Sequence, residues 1–259
     1  MSISNVTSCF RPGLFAGYVV LISGGSSGIG LEMARGFAGL SAEVIATGTS
    51  TEKLSAAKGD PQNKGITFES LDVRDSKAIQ RLIGGLPRLD TVVNAAGISH
   101  GGAELDDEKK FLDVLDVNLA GMMRIAMAAR DHLVRSKGTI INVSSMLSYL
   151  VEAGSNVVGY TASKTGVLGL TRALAHSLGG EGIRVNAISP GYHKTDMTRP
   201  LWSVAKSAEL IAERSALKRW GTTEDLVGYA LFLASPAAGF ITATELPVDG
   251  GYVVGNTVF

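Results

Sequence analysis

The chain has 259 residues, of which 45% are apolar, 24 are basic, 24 are acidic and one, Cys9, is a cysteine. This composition excludes a disordered chain and a disulfide-stapled scaffold. Zero net charge removes the field that draws proteins to phosphate backbones or anionic lipid, so neither nucleic acid nor a membrane is an expected partner.

The opening MSISNVTSCFRPG lacks the basic-then-apolar order of a secretory leader, and no run approaches the roughly 18 apolar residues of a membrane span. The expectation is a cytoplasmic protein forming one domain over 1–259, with residues 1–12 loosely attached. The first β-branched run, YVVLIS (18–23), ends in a loop of small residues that includes Gly24, Ser26, Ser27, Gly28 and Gly30. Small residues let the backbone turn tightly and let a ligand approach. The spacing is G-x-x-x-G-x-G, which departs from the G-x-G-x-x-G dinucleotide fingerprint. Its physics survives: a helix starting near Ile29 offers unpaired N–H groups and a positive dipole end to a pyrophosphate. That helix carries an apolar stripe of Ile29, Met33, Phe37 and Leu40.

Further strand-like runs follow at 43–48, 66–73, 90–97, 138–145, 183–190 and 244–251, with helical spacing between them. Alternation of this kind predicts an α/β fold: a doubly wound parallel sheet of about seven strands, Rossmann-type, with helices on both faces. Ligands in such sheets bind beyond the carboxyl ends of the strands, where the strand order reverses. The third run closes on Asp72 and Val73, where the carboxylate suits either an adenine amino group or a helix cap. The fourth brings Asn94, Ala95, Ala96 and Gly97 to the same edge, with side chains small enough to admit a nucleotide. Asn118 interrupts the apolar run LDVLDVNLAGMMRIAMAA, where an unpaired amide is costly. In YTASK, Tyr160 and Lys164 stand four apart on one helix face. A neighbouring cation favours an ionised phenol, which makes the pair an acid/base usable near neutral pH.

The segments SGGSSGIG, NAAG, LDVNLAG, INVSS, YTASK and SPGYHKTDM occur in this order across nearly the whole chain. Together they resemble the classical short-chain dehydrogenase/reductase family. The resemblance implies a metal-independent oxidoreductase that uses NAD or NADP and acts on a small alcohol or carbonyl substrate. By motif position it implies that Tyr160 donates or accepts the proton, and that Lys164 holds the nicotinamide ribose and lowers the Tyr160 pKa. It further implies that Ser145 binds the substrate oxygen, that Asn118 anchors a water in a proton relay, and that Thr195, above the Pro190–Gly191 turn, contacts the cofactor. Independently, charge arriving on a carbonyl oxygen calls for preorganised hydroxyl donors such as Ser145 and Tyr160. Thr195 suits a helix cap as well.

Two departures from the family pattern stand out. The second strand-like run ends in Gly48 and Thr49, without the acid that selects NAD or the arginine that selects NADP. The hydroxyls of Thr49, Ser50 and Thr51 tilt the expectation to NADP, although Ser27 stands where an arginine is common. Ser145 precedes Tyr160 by fifteen positions, slightly more than is usual, which makes Ser148 a rival. Similar stretches in polyol-oxidising members tilt the substrate toward a polyol, sugar or hydroxyketone. Polar loop residues His100, Glu152, His193 and Trp202 are candidate contacts. A nucleotide-binding regulator on the same fold is the alternative, though such a protein would typically lack the Tyr or the Lys. A sugar-nucleotide epimerase would need a substrate domain for which the residues after PVDGGY leave no room. Long apolar helical runs predict a homotetramer or homodimer.

Overall fold

Runs that are hydrophobic on both sides of a strand can be satisfied only in a sheet covered on both faces, and the chain builds one. The computed structural model describes residues 2–151 and 156–255. Its strands are β1 (Val19–Ser23), β2 (Glu43–Gly48), β3 (Ile66–Ser70), β4 (Thr91–Asn94), β5 (Thr139–Val143), β6 (Arg184–Pro190) and β7 (Glu245–Val248). All pair in parallel, in the order β3-β2-β1-β4-β5-β6-β7. The order reverses between β1 and β4, so the crevice of a doubly wound sheet opens at their carboxyl ends.

The helices are α1 (Ile3–Thr7), α2 (Gly28–Gly39), α3 (Thr51–Gly59), α4 (Ser76–Gly84), α5 (Glu108–Leu115), α6 (Gly121–Ser136), α7 (Val158–Gly179), α8 (Arg199–Trp202), α9 (Ala205–Arg214) and α10 (Val227–Ala234). Alternate residues along each strand serve opposite faces. Val20, Ile22, Val44 and Val93 meet Met33 and Phe37 of α2 and Leu231 of α10 on one side. Val19, Leu21, Ile45 and Val92 meet Ile79 of α4, Ile125 and Leu133 of α6 and Leu174 of α7 on the other. Within the segment expected to be loosely attached, α1 forms and buries Val6 against the first of these clusters.

The helical run around Asn118 is not uniform. Five residues of π-helix, Asp116–Ala120, separate α5 from α6. The wider turn carries Asn118 inward, where it is fully buried. Its Oδ1 accepts from Ile98 N at 2.8 Å, and its Nδ2 donates to Ile98 O at 2.9 Å and Ser163 Oγ at 3.1 Å. Irregular helical turns of this type recur at functional sites, and here the turn lies under the crevice.

Candidate active site

The crevice begins where two backbones nearly touch. Gly24, at φ +71°, has no room for a side chain: an added Cβ would stand 2.6 Å from the backbone of Ala96. At Gly30 it would stand 2.3 Å from the Gly24 carbonyl oxygen. Gly28, at φ +56°, opens α2 and faces Thr195 across the gap. Ser27 makes no side-chain cap, so the first-turn N–H groups of α2 stay available to an anion. The crevice has a volume of about 870 Å³ and is lined by Gly24, Ser26, Ser27, Gly28, Ile29 and Gly30, with Thr49, Asp72, Val73, Ala95, Ala96, Gly97, Pro190, Gly191 and Thr195. A cradle that any Cβ would fill, beside an uncapped helix start, fits a dinucleotide pyrophosphate.

At the other end of the crevice, α7 is clasped to the end of β5. Lys164 Nζ donates to Val143 O at 2.8 Å, and Ser144 Oγ donates to Lys164 O at 2.8 Å. Lys164 is 3% exposed, and its ammonium lies 5.6 Å from the centre of the Tyr160 ring. Ser145 caps a short 3-10 turn, accepting from Leu147 N, and its hydroxyl lies near enough to the Tyr160 phenol to favour the ionised form. Ser148 instead lies 2.7 Å from Ser144 Oγ, so of the two rival serines only Ser145 meets the phenol and lines the crevice.

Burial raises the Tyr160 phenol above its ordinary value; the Ser145 hydroxyl opposes this and the Glu104 carboxylate adds to it. The expected lowering by Lys164 is not what this arrangement produces, because removal of the phenol from water dominates. The same desolvation lowers Lys164 to about 8.

Asp72, Thr195, His100 and His193 line the crevice, whereas Asn94, Asn118 and Trp202 do not. Asn94 is buried, and its amide donates to Asn142 Oδ1 at 2.9 Å behind the crevice rather than facing it. The side chain of Asn118 is spent on Ile98 and Ser163, as described above. Asp72 lines the crevice but does not cap α4, a role that Asp75 fills; its carboxylate is paired with Arg74 at 2.7 Å. Thr195 Oγ1 accepts from Thr198 N at 3.4 Å, a weak turn contact before α8. His100 has its Nε2 2.9 Å from Asp113, and His193, buried at the crevice wall, donates through Nδ1 to Gly191 O. Trp202 donates to Thr195 O and does not line the crevice, and Glu152 lies outside the described residues.

Two residues were not found by sequence reasoning. Lys53, on the first turn of α3, places its Nζ 3.5 Å from Ser27 Oγ and 3.3 Å from Asp196, at the crevice edge by Thr49. Its signal was a lone cation shortly after the hydroxyl-rich end of β2. Glu104, in the loop after β4, is 2% exposed and accepts from Tyr160 N at 2.9 Å. No local pattern ties it to the site, since Tyr160 is 56 residues away. Among the described residues no cluster of His, Cys, Asp and Glu is placed to hold a metal, and no helix is long and apolar enough to cross a membrane.

A family model described as Enoyl-(Acyl carrier protein) reductase matches residues 24–253. Gluconate 5-dehydrogenase of Gluconobacter oxydans (strain 621H) is 34% identical over 255 residues, covering 94% of this chain and 98% of its own. The 2-dehydro-3-deoxy-D-gluconate 5-dehydrogenase of Bacillus subtilis (strain 168) is 38% identical over 244 residues, covering 92% and 95%. Among solved structures, a gluconate 5-dehydrogenase from Burkholderia cenocepacia J2315 in complex with NADP and tartrate superposes with a TM-score of 0.85 at 30% identity, covering 93% of this chain and 97% of that one.

The buried ammonium has a measurable consequence. Because the native pKa of Lys164 lies near 8 and the unfolded value near 10.5, the unfolded chain binds more protons between those limits, and native stability gains from this group as pH rises through them. Below about 8 the full penalty of about 3 kcal/mol is present. Lys164→Met removes the penalty and loses the bond to Val143, so the variant is expected to be more stable than the parent by about 1–3 kcal/mol at neutral pH. That advantage should shrink as pH is raised through the same window, as read from urea midpoints; a gap independent of pH would contradict it.

Proposed function

The chain belongs to the classical short-chain dehydrogenase/reductase family of NAD(P)-dependent oxidoreductases, and from that premise we propose that Ser145, Tyr160 and Lys164 interconvert a secondary alcohol and its ketone on a small polyhydroxylated substrate of the sugar-acid or polyol type. The observation that carries this reading is the meeting of the Ser145 hydroxyl with the Tyr160 phenol, above a buried Lys164, at one end of a dinucleotide-shaped crevice. A nucleotide-binding regulator would not need these three groups assembled. The sugar-acid or polyol class is supported by the gluconate-type relatives and by a crevice end that presents Ser99, His100, Ser145 and Tyr192.

When bound, the nicotinamide supplies or takes up the hydride. In the reducing direction the Tyr160 hydroxyl gives its proton to the substrate oxygen as negative charge develops there, and Ser145 donates a second hydrogen bond to the same atom. A phenol held protonated by burial is suited to that donor role. Lys164 would hold the ribose hydroxyls from beneath. The proton-relay role of Asn118 has to run through its backbone, since its side-chain amide is already used.

The lean to NADP gains a cation. Lys53, with Ser27 and Thr49 beside it, can bind a 2′-phosphate by exchanging its exposed pair with Asp196. An acid at position 48 would first have to displace Ser26, whose Oγ lies 2.4 Å from where a Cβ would stand. Exposed Leu112, Met123 and Met127 on α5 and α6 support assembly through this side into a two-fold dimer or a tetramer of two-fold dimers.

Screening sugar acids, polyols and their ketones at the reduced-nicotinamide absorbance band tests the activity. Tyr160→Phe is expected to abolish turnover while leaving cofactor affinity near that of the parent. Ser145→Ala should cost about a hundredfold or more in kcat, as for a lost oxyanion donor, and Ser148→Ala far less. Retained turnover in Tyr160→Phe refutes the assignment. Lys53→Glu should lower the NADP-to-NAD preference in kcat/KM by about tenfold or more, which paired kinetics would read. Light scattering at micromolar concentration should give a multiple of the 27.0 kDa chain mass, and a monomer would exclude the assembly.

A further inference from the structure

Glu104 is a buried carboxylate outside the described set of reacting groups, and its surroundings are specific. Oε1 accepts from Ser99 Oγ at 2.8 Å and from His100 N at 2.8 Å, while Oε2 accepts from Tyr160 N at 2.9 Å. No cation pairs with it among the described residues. A carboxylate at 2% exposure is tolerated only because three donors replace its water. Those donors come from two elements: the loop after β4 that borders the crevice, and the first turn of α7.

The α7 terminus needs this acceptor. Its N-cap position is Val157, which has no side-chain oxygen, so the first-turn N–H groups lack the usual local partner. Tyr160 is the third residue of the helix, and its N–H is the one a cap would normally take. Glu104 takes it from across the fold. Gly159 makes the approach possible, since a Cβ there would lie 3.3 Å from Oε2 and 3.2 Å from the Phe111 ring. One turn further along, Asn118 joins Ile98 of the same loop to Ser163, whose Oγ donates to Tyr160 O. The loop is thereby pinned to α7 on both sides of Tyr160.

We propose that Glu104 is a positioning residue for Tyr160: it supplies the missing helix cap, ties that cap to the crevice loop, and brings a carboxylate into the surroundings of the Tyr160 side chain. The inference rests on Tyr160 being the proton-transfer group. The charge favours the protonated phenol, which holds the proton for delivery to a carbonyl oxygen. A glutamine cannot replace it quietly. Whichever way its amide is turned, the NH2 meets a donor, either Tyr160 N–H or the Ser99 and His100 pair.

Two variants separate position from charge. E104D keeps the charge but withdraws it by one methylene from Tyr160 N–H. E104Q keeps the reach and removes the charge. Each is read by the pH profile of turnover and by the tyrosine Cζ NMR resonance that is missing in Tyr160→Phe, which needs no substrate. Expected for E104Q are a kcat loss of about tenfold or more and a downward move of the Tyr160 titration by about half a pH unit or more, with dinucleotide affinity within about twofold of the parent. Expected for E104D is a comparable kcat loss with the titration unmoved. An E104Q protein with parental kcat, or with lowered kcat and an unmoved Tyr160 resonance, overturns the proposal; the second result assigns the carboxylate to fold maintenance alone. Should E104Q fail to fold, E104D with parental kcat overturns it equally. If Tyr160→Phe itself remains active, the proton-transfer reading fails first, and the Glu104 variants are not what refuted it.

Discussion

The reciprocal clasp between Lys164 and the end of β5 is the interaction on which the site depends. One bond runs from the side chain of α7 to the strand backbone, and the other from a strand-end hydroxyl to the backbone of α7. Together they fix both the distance and the rotation of the helix about its axis. Rotation matters because Tyr160 lies one turn before Lys164 on the same face, and a small error would carry the phenol away from Ser145. Beneath the clasp a second polar chain runs from Asn94 through Asn142 to Thr171, tying β4, β5 and α7 in the interior. Such buried networks cost stability when incomplete and specify one arrangement when satisfied.

The cradle solves a different problem, that of bringing a ligand's phosphates to backbone N–H groups with nothing in the way. Gly24 and Ala96 follow β1 and β4, strands that are neighbours in the sheet but distant in the chain, and the two loops approach to within the reach of a single missing methyl group. The close contact closes the floor of the crevice at the point where the strand order reverses. From there the walls diverge, with α3 and Asp72 on one side and the segment following β6 on the other. The Lys53–Asp196 pair spans these walls at the surface, exposed enough that a phosphate can compete for the lysine.

Much of this was legible in the sequence. The seven strands were, because burial on both faces leaves an unbroken apolar run that few alternatives produce. The glycine cradle and the Tyr160–Lys164 pair were legible because their spacing along the chain is also their geometry. Where the side chains of Asn94 and Asn118 point was not legible, because only their long-range partners decide it: Asn142 for the first, Ile98 and Ser163 for the second. Ser145 and Ser148 could not be separated by spacing, and the deciding fact, the bond of Ser148 to Ser144, depends on how the loop folds back. The contacts that bring Glu104 to Tyr160 and Lys53 to Ser27 span 56 and 26 residues, which no local spacing records. The π-helical turn was hidden inside a smooth apolar run, since the pattern does not record one extra residue per turn.

Electrostatics along α7 completes the picture. A lysine is buried where its charge is penalised, and a carboxylate is buried at the helix's start, where the positive end of the dipole favours it. On the phenol of the same helix, burial and the Glu104 carboxylate both favour the protonated form. An apolar substitution at Lys164 would relieve the cost of the buried charge, so the ammonium is not explained by its contribution to stability. The stability of the fold rests on the two apolar layers packed against the sheet. Polar groups inside the sheet such as Thr139, Asn142 and Asn186 are spent on bonds to their neighbours, whereas at the carboxyl edge Ser145 and Tyr160 line a crevice of ligand size.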